Sequence, residues 1–171
     1  MKQVLIILRG APASGKSTIS KKICNFEKKT IWLKVDNFKD FFGDTDEALE
    51  YVNGSAVATL KYLLDKGFSV VMDGVFQNTP AIDEAVQFAN SKNIRVIVYQ
   101  LTCSLKVLQE RDKVRPGVPE GIRRALGDET IAKIHEKLAN SFYTGARVLD
   151  TELKTLDECI NQIKEETGIN Y

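Results

Sequence analysis

The chain is predicted to fold as a doubly wound α/β domain, a parallel sheet covered by helices on both faces. Three observations predict it. Short, nearly continuous apolar runs recur five times and alternate with stretches of helical period, as expected of strands buried on both faces. The first run passes straight into a glycine-bearing loop, Gly10 to Ser17, of the form G-x-x-x-x-G-K-S. Such a loop links a buried strand to the N-terminus of a helix. Two further runs end at acids, Asp36 and Asp73, and sheets of this kind collect ligands at the carboxyl ends of their strands.

The elements follow in order. Val4 to Leu8 is the first strand, and the loop Gly10-Ala11-Pro12-Ala13-Ser14-Gly15-Lys16-Ser17-Thr18 comes next. Met1-Lys2-Gln3 and this apolar run read as the entry to a core strand rather than a signal peptide. The loop follows at once, with no small-residue cleavage site. Ile31 to Val35 is the second strand, with Trp32 read as core. Ala48, Leu49, Val52, Ala56, Leu60 and Leu63 place one apolar face on a helix. Ser69 to Met72 is the third strand. Thr79-Pro80 then opens a helix, where the missing proline N–H has no partner to lose. Ile94 to Leu101 is the fourth strand, and a short helix carrying Arg111 follows it. Lys113 to Asp128 is irregular, holding Pro116, Gly117, Pro119, Gly121, Gly127 and three arginines. A loop of that length is a lid, a binding loop or disordered. Ala146 to Leu149 is the fifth strand, and Thr155-Leu156-Asp157-Glu158 has the form of a capping box before a last helix.

No repeat, low-complexity tract or linker divides the 171 residues, which read as one domain. Lys and Arg total 24 against 23 Asp and Glu, so no broad basic footprint points to nucleic acid or a membrane surface. A local basic patch stays open. Cys24, Cys103 and Cys159 lack metal-ligand spacing and read as small buried hydrophobes in a reducing compartment, which with the absence of a membrane-length run points to the cytoplasm.

The chemistry follows from the strand ends. Backbone N–H groups of the Gly10 to Thr18 loop converge on a phosphate chain, Lys16 reaches its terminal phosphates, and the Ser17 hydroxyl ligates Mg²⁺. The expected ligands are therefore ATP and Mg²⁺. Asp36 is read either as the base that takes a proton from an acceptor hydroxyl or as the cap of the following turn. Lys39 either holds an anionic group or is a solvated surface lysine. Asp73 closes Val70-Val71-Met72 as a ligand for Mg²⁺ or its water. Residue 74 is Gly rather than a second acid, and no N-K-x-D segment reads guanine. Both absences favour transfer over hydrolysis. Arg111 and Arg115 share a helix face: Arg111 is read as neutralising charge on the transferring group and Arg115 as clamping the nucleotide, the alternative being ion pairing along the helix with Glu110 and Asp112. Arg123 and Arg124 either close over ligand or are solvated. His135, alone on a helix, reads as structural.

Arg9-Gly10-Ala11-Pro12-Ala13-Ser14-Gly15-Lys16-Ser17-Thr18, with Asp36-Asn37-x-Lys39 and Leu108-Gln109-Glu110-Arg111-Asp112, resembles the small P-loop kinases. The likeness is to the polynucleotide-kinase-like, zeta-toxin-like and chloramphenicol-phosphotransferase-like group, and it runs over most of the chain. It implies a sheet order of 2-3-1-4-5, with Asp36 as the base and Arg111 and Arg115 as lid arginines. It also implies that adenine passes Leu149-Asp150-Thr151. An arginine commonly stands where this chain has Lys39. The combined expectation is a phosphotransferase moving the γ-phosphoryl of ATP to a hydroxyl of a small molecule or a nucleic-acid 5′ end. The alternative is a nucleotide-binding switch, a slow ATPase signalling through the 113–128 loop.

Overall fold

In a computed structural model, the structure describes residues 3–26, 29–43, 45–115 and 124–169. Strands β1 (Val4–Arg9), β2 (Thr30–Lys34), β3 (Ser69–Gly74), β4 (Arg95–Thr102) and β5 (Arg147–Asp150) form one sheet. Its order is β2-β3-β1-β4-β5 and every pairing is parallel, as the resemblance implied. The helices are α1 (Lys16–Phe26), α2 (Lys39–Phe42), α3 (Asp46–Asp65), α4 (Pro80–Ser91), α5 (Leu105–Lys113), α6 (Asp128–Ala139) and α7 (Leu156–Thr167).

The central strand shows why the sheet is doubly wound. All six residues of β1 are buried, and successive side chains point to opposite faces. Leu5 and Ile7 join Val70, Met72 and Val98 under α3 and α4, where Val52, Ala56, Leu60, Ile82 and Ala85 complete the layer. Val4, Ile6 and Leu8 join Val71, Ile97 and Tyr99 under α1 and α7, against Ile19, Ile23 and Ile163. Each such aliphatic side chain contributes about 1.5–3 kcal/mol on burial, so a strand apolar at every position is stable only between two helical layers. A third cluster, Ala11, Leu108, Ile131 and Leu138, fastens α5 and α6 beside the first loop.

The helix ends follow their local chemistry. Pro80 occupies the first turn of α4. At α7, Thr155 accepts from the Glu158 amide while the Glu158 carboxylate accepts from Thr155 N–H at 2.8 Å. Two details depart from expectation. β2 ends at Lys34, and Val35–Phe38 form a 3₁₀ turn instead of prolonging the strand. Trp32 is half-buried rather than core, because β2 is an edge strand and the indole N–H turns to Asp73, 3.0 Å away. Of the cysteines, Cys159 is buried while Cys24 and Cys103 are half-buried. His135 lies half-buried on α6. Of the expected lid, residues 116–123, including Arg123, lie outside the described residues, and Arg124 is exposed.

Candidate active site

The loop between β1 and α1 owes its shape to a few backbone constraints. Gly10 is pressed against β4, and a Cβ there would meet Leu101 Cβ at 3.0 Å and Ser14 Oγ at 2.8 Å. Gly15 takes φ +91° with open space where a side chain would stand. Ala13 adopts φ 65°, a conformation that costs a non-glycine residue about 1 kcal/mol or more. The loop is thereby held open as a cradle of backbone amides at the α1 N-terminus.

Lys16 is 7% exposed and donates to the Gly10 and Ala11 carbonyls at 2.9 and 2.8 Å. Burial pushes its ammonium down to about 8, against the opposing pull of Asp73 and Asp36. Ser14 Oγ is buried with no hydrogen-bond partner. An orphaned hydroxyl in a loop of this form fits a bound phosphate oxygen.

The depressed lysine has a measurable consequence. Its charged form costs stability below about pH 8, and that penalty fades as pH rises towards the unfolded value of 10.5. A bound triphosphate reverses the balance by favouring the ammonium. ATP binding at pH 9 is therefore expected to take up close to one proton, with affinity falling as pH rises above 8. Calorimetry in buffers of different ionisation enthalpy reads this directly. The same uptake by Lys16→Met would assign it elsewhere.

The carboxyl ends of the strands bring most of the expected residues to one cavity of 1610 Å³. Pro12, Ala13, Gly15, Lys16, Ser17 and Thr18 line it, as do Asp36, Lys39, Arg111 and Arg115. Asp36 sits in the 3₁₀ turn after β2 and pairs with Lys39 at 3.6 Å. Asp73 lies deeper. It is 2% exposed, and its Oδ2 accepts from Ser20 Oγ at 2.9 Å and from Trp32 Nε1. Burial raises the Asp73 carboxyl, while Lys16 and the two hydrogen bonds oppose the rise. Mg²⁺ is typically held by one or two protein oxygens together with substrate phosphates and waters. A hydroxyl at the cavity wall, Ser17, and a buried acid beside the phosphate-loop lysine, Asp73, fit that donor set.

The two arginines separate. Arg111 turns to the end of β5, donating to Thr151 O at 2.6 Å and Thr151 Oγ1 at 3.2 Å. Arg115 pairs with the buried Asp112 at 3.1 Å, and its positive charge acts on Lys16, helping to lower that ammonium.

Sequence reasoning overlooked two residues that shape this site. Asp112, 1% exposed, also accepts from the Leu126 and Gly127 amides at 2.8 and 3.0 Å, tying the return of the loop to its start. Only its i,i+3 spacing to Arg115 was visible locally. Arg9, at the end of β1, is fully buried without a carboxylate partner among the described residues. It donates to Phe76 O at 2.9 Å, Gln100 Oε1 at 2.7 Å and Ser141 Oγ at 2.9 Å. Burial lowers its pKa. Its signal was a charge closing an otherwise apolar strand. Arg9→Met is expected to lower unfolding stability by ~2 kcal/mol, since two buried acceptors lose their donor while a desolvated charge is removed. An unchanged urea midpoint would mean that those bonds merely offset the desolvation of the guanidinium.

Sheet order and loop are those of a P-loop α/β fold, and the cavity opens at the loop. The chain belongs to the AAA domain family, whose sequence pattern matches residues 5–140. No curated protein matches it in sequence. Its structure is similar to that of APE1195, with a TM-score of 0.72 at 18% identity over 98% of this chain and 96% of that one. A tunicamycin resistance protein of Deinococcus radiodurans gives 0.71 at 14% identity, covering 99% and 98%. A gluconokinase from Sinorhizobium meliloti 1021 gives 0.65 at 17%, covering 96% and 91%. At such identities the likeness is one of fold, and that fold is the one the resemblance implied.

Proposed function

We propose that the protein transfers the γ-phosphoryl group of ATP to an acceptor hydroxyl. The observation that carries this reading is a carboxylate, Asp36, facing the same cavity as the phosphate loop and close enough to act on Lys16. A hydrolytic P-loop would need an acid to activate water, expected next to Asp73, where this chain has Gly74. Gluconokinase shares the fold and acts, as its name says, on a hydroxyl compound.

In this mechanism the loop amides and Lys16 hold the β- and γ-phosphates. Ser17 and Asp73 would hold Mg²⁺ or its water, the metal supplying neutralisation of negative charge on the phosphates. Asp36 accepts the hydroxyl proton as the acceptor oxygen bonds to the γ-phosphorus. The bond from that phosphorus to the bridging oxygen breaks, and its electron pair leaves with ADP. Arg115 neutralises charge on the group in flight, and Arg111, anchored at Thr151, orders the nucleotide at the β5 side.

The test is transfer of label from [γ-³²P]ATP with Mg²⁺ to hydroxyl compounds, including a 5′-hydroxyl oligonucleotide. Labelled acceptor is the expected result. Tight ATP binding with slow phosphate release and no labelled product would instead be the behaviour of a nucleotide switch.

A further inference from the structure

The cavity is not uniform, and its asymmetry bears on what the acceptor is. The sheet order places β2 and β3 on one side of the phosphate loop and β4 and β5 on the other. On the β5 side the charged residues of the wall, among those described, are Arg111, Arg115 and Lys154, with Lys137 on α6, the helix packed against α5, and no acid among them. That is a wall suited to a polyphosphate.

The β2–β3 side differs. Among the described residues, Lys34 and Lys39 face Asp36, Glu50 and Glu84 there, and Lys61 pairs with Glu84 at 2.6 Å. Three cations against three acids leave no surplus for an anion. The cations are also engaged: Lys39 pairs with Asp36 at 3.6 Å, and Lys34 lies over the Trp32 ring at 5.8 Å. What this side offers instead is aromatic surface and neutral amides. Phe42 and Tyr51 pack with ring centroids 5.9 Å apart and an interplanar angle of 31°, yet remain 43% and 57% exposed. Asn53, Gln77 and Asn78 supply uncharged hydrogen-bonding groups in the same wall.

Exposed aromatic rings inside a ligand cavity gain free energy when a flat apolar group covers them. A sugar acid or a nucleic-acid end would instead need spare cations, and would meet the exposed Glu50. The volume agrees. At 1610 Å³ the cavity exceeds the ~300–1,000 Å³ that holds one drug-sized ligand, leaving space for an acceptor of nucleoside size beside the nucleotide.

Building on the phosphotransferase reading, we propose that the acceptor is an uncharged hydroxyl compound bearing an aromatic or heteroaromatic ring. The ring stacks on Tyr51 and Phe42, and the hydroxyl is directed at Asp36. The neutral amides of Asn53, Gln77 and Asn78 select its polar substituents.

Saturation-transfer NMR on the protein with ADP and Mg²⁺ tests the pocket without requiring turnover. The probes are pyrimidine ribonucleosides and phenyl glycosides, with gluconate and a 5′-hydroxyl oligonucleotide as anionic competitors. Saturation of ring protons is expected for at least one aromatic probe, with no displacement by gluconate. Tyr51→Ala should weaken that binding about tenfold and Tyr51→Phe should restore it, since stacking requires the ring and not the hydroxyl. Absence of saturation for every aromatic probe would overturn the proposal, as would equal saturation in Tyr51→Ala. Label passing from [γ-³²P]ATP to gluconate or the oligonucleotide would overturn it too, while leaving phosphotransfer intact. Tyr51-dependent binding of a probe, with no label passing from [γ-³²P]ATP to any hydroxyl compound, would support the pocket and remove the phosphotransferase reading.

Discussion

Asp36→Asn is expected to lower kcat by ~10²–10⁴-fold while leaving the affinity for ATP within about twofold at neutral pH. The asparagine keeps the size of the side chain and its place in the 3₁₀ turn, but its amide cannot take the acceptor's proton. Two electrostatic consequences accompany the change. Lys39 loses its 3.6 Å partner, and Lys16 loses one of the negative charges that oppose its burial. The second effect moves the Lys16 ammonium further down, so ATP affinity in the variant should fail at a lower pH than in the parent. At neutral pH a bound triphosphate favours the charged lysine in both, and the defect should appear in kcat rather than in nucleotide binding. Steady-state transfer measured beside direct nucleotide titration separates the two. A variant with parental kcat would place the base elsewhere and leave Asp36 as a turn residue.

The parts of this protein that were legible in its sequence are those decided by neighbours along the chain. The Gly10 to Thr18 loop, the unbroken apolar run of β1, Pro80 at the head of α4 and the Thr155–Glu158 box are each set by residues a few positions apart. Parts decided by distant partners were not. The Trp32 ring reads as core on apolarity, yet its N–H is drawn to Asp73, 41 positions away. Arg9 stands in the sequence as the residue before the loop, and its three partners come from positions 76, 100 and 141. Asp112 shows its local pairing with Arg115, but its bonds to the Leu126 and Gly127 amides cross the loop. The termination of β2 belongs to the same class. The apolar run continues through Val35, and only packing of that side chain into the core under α3 turns the chain and brings Asp36 to the cavity. The strand end was visible, whereas the turn that aims the carboxylate was not.

The two arginines of α5 are expected to divide their labour, although their spacing alone makes them equivalents on one helix face. Arg115→Ala should lower kcat by ~10²–10³-fold with a modest change in KM for ATP, because it removes a cation that lines the cavity close enough to Lys16 to act on the transferring group. Arg111→Ala should do the reverse. Its guanidinium already spends two donors on Thr151, so its loss should loosen the β5 side of the nucleotide site, raising KM about tenfold and leaving kcat within about threefold. Arg115→Ala also leaves the buried Asp112 without its cation, and a folding defect could imitate a catalytic one. The Leu126 and Gly127 amides still satisfy Asp112 Oδ2 in that variant, and its urea unfolding midpoint shows whether the loss is structural. Arg115→Lys sharpens the distinction, since an ammonium preserves charge without the planar fork. A kcat that stays low in Arg115→Lys at an unchanged midpoint would show that the bidentate geometry, and not charge alone, stabilises the transferring group. A normal kcat in Arg115→Ala with a collapsed kcat in Arg111→Ala would return the role to Arg111 and require its guanidinium to leave Thr151 when ATP binds.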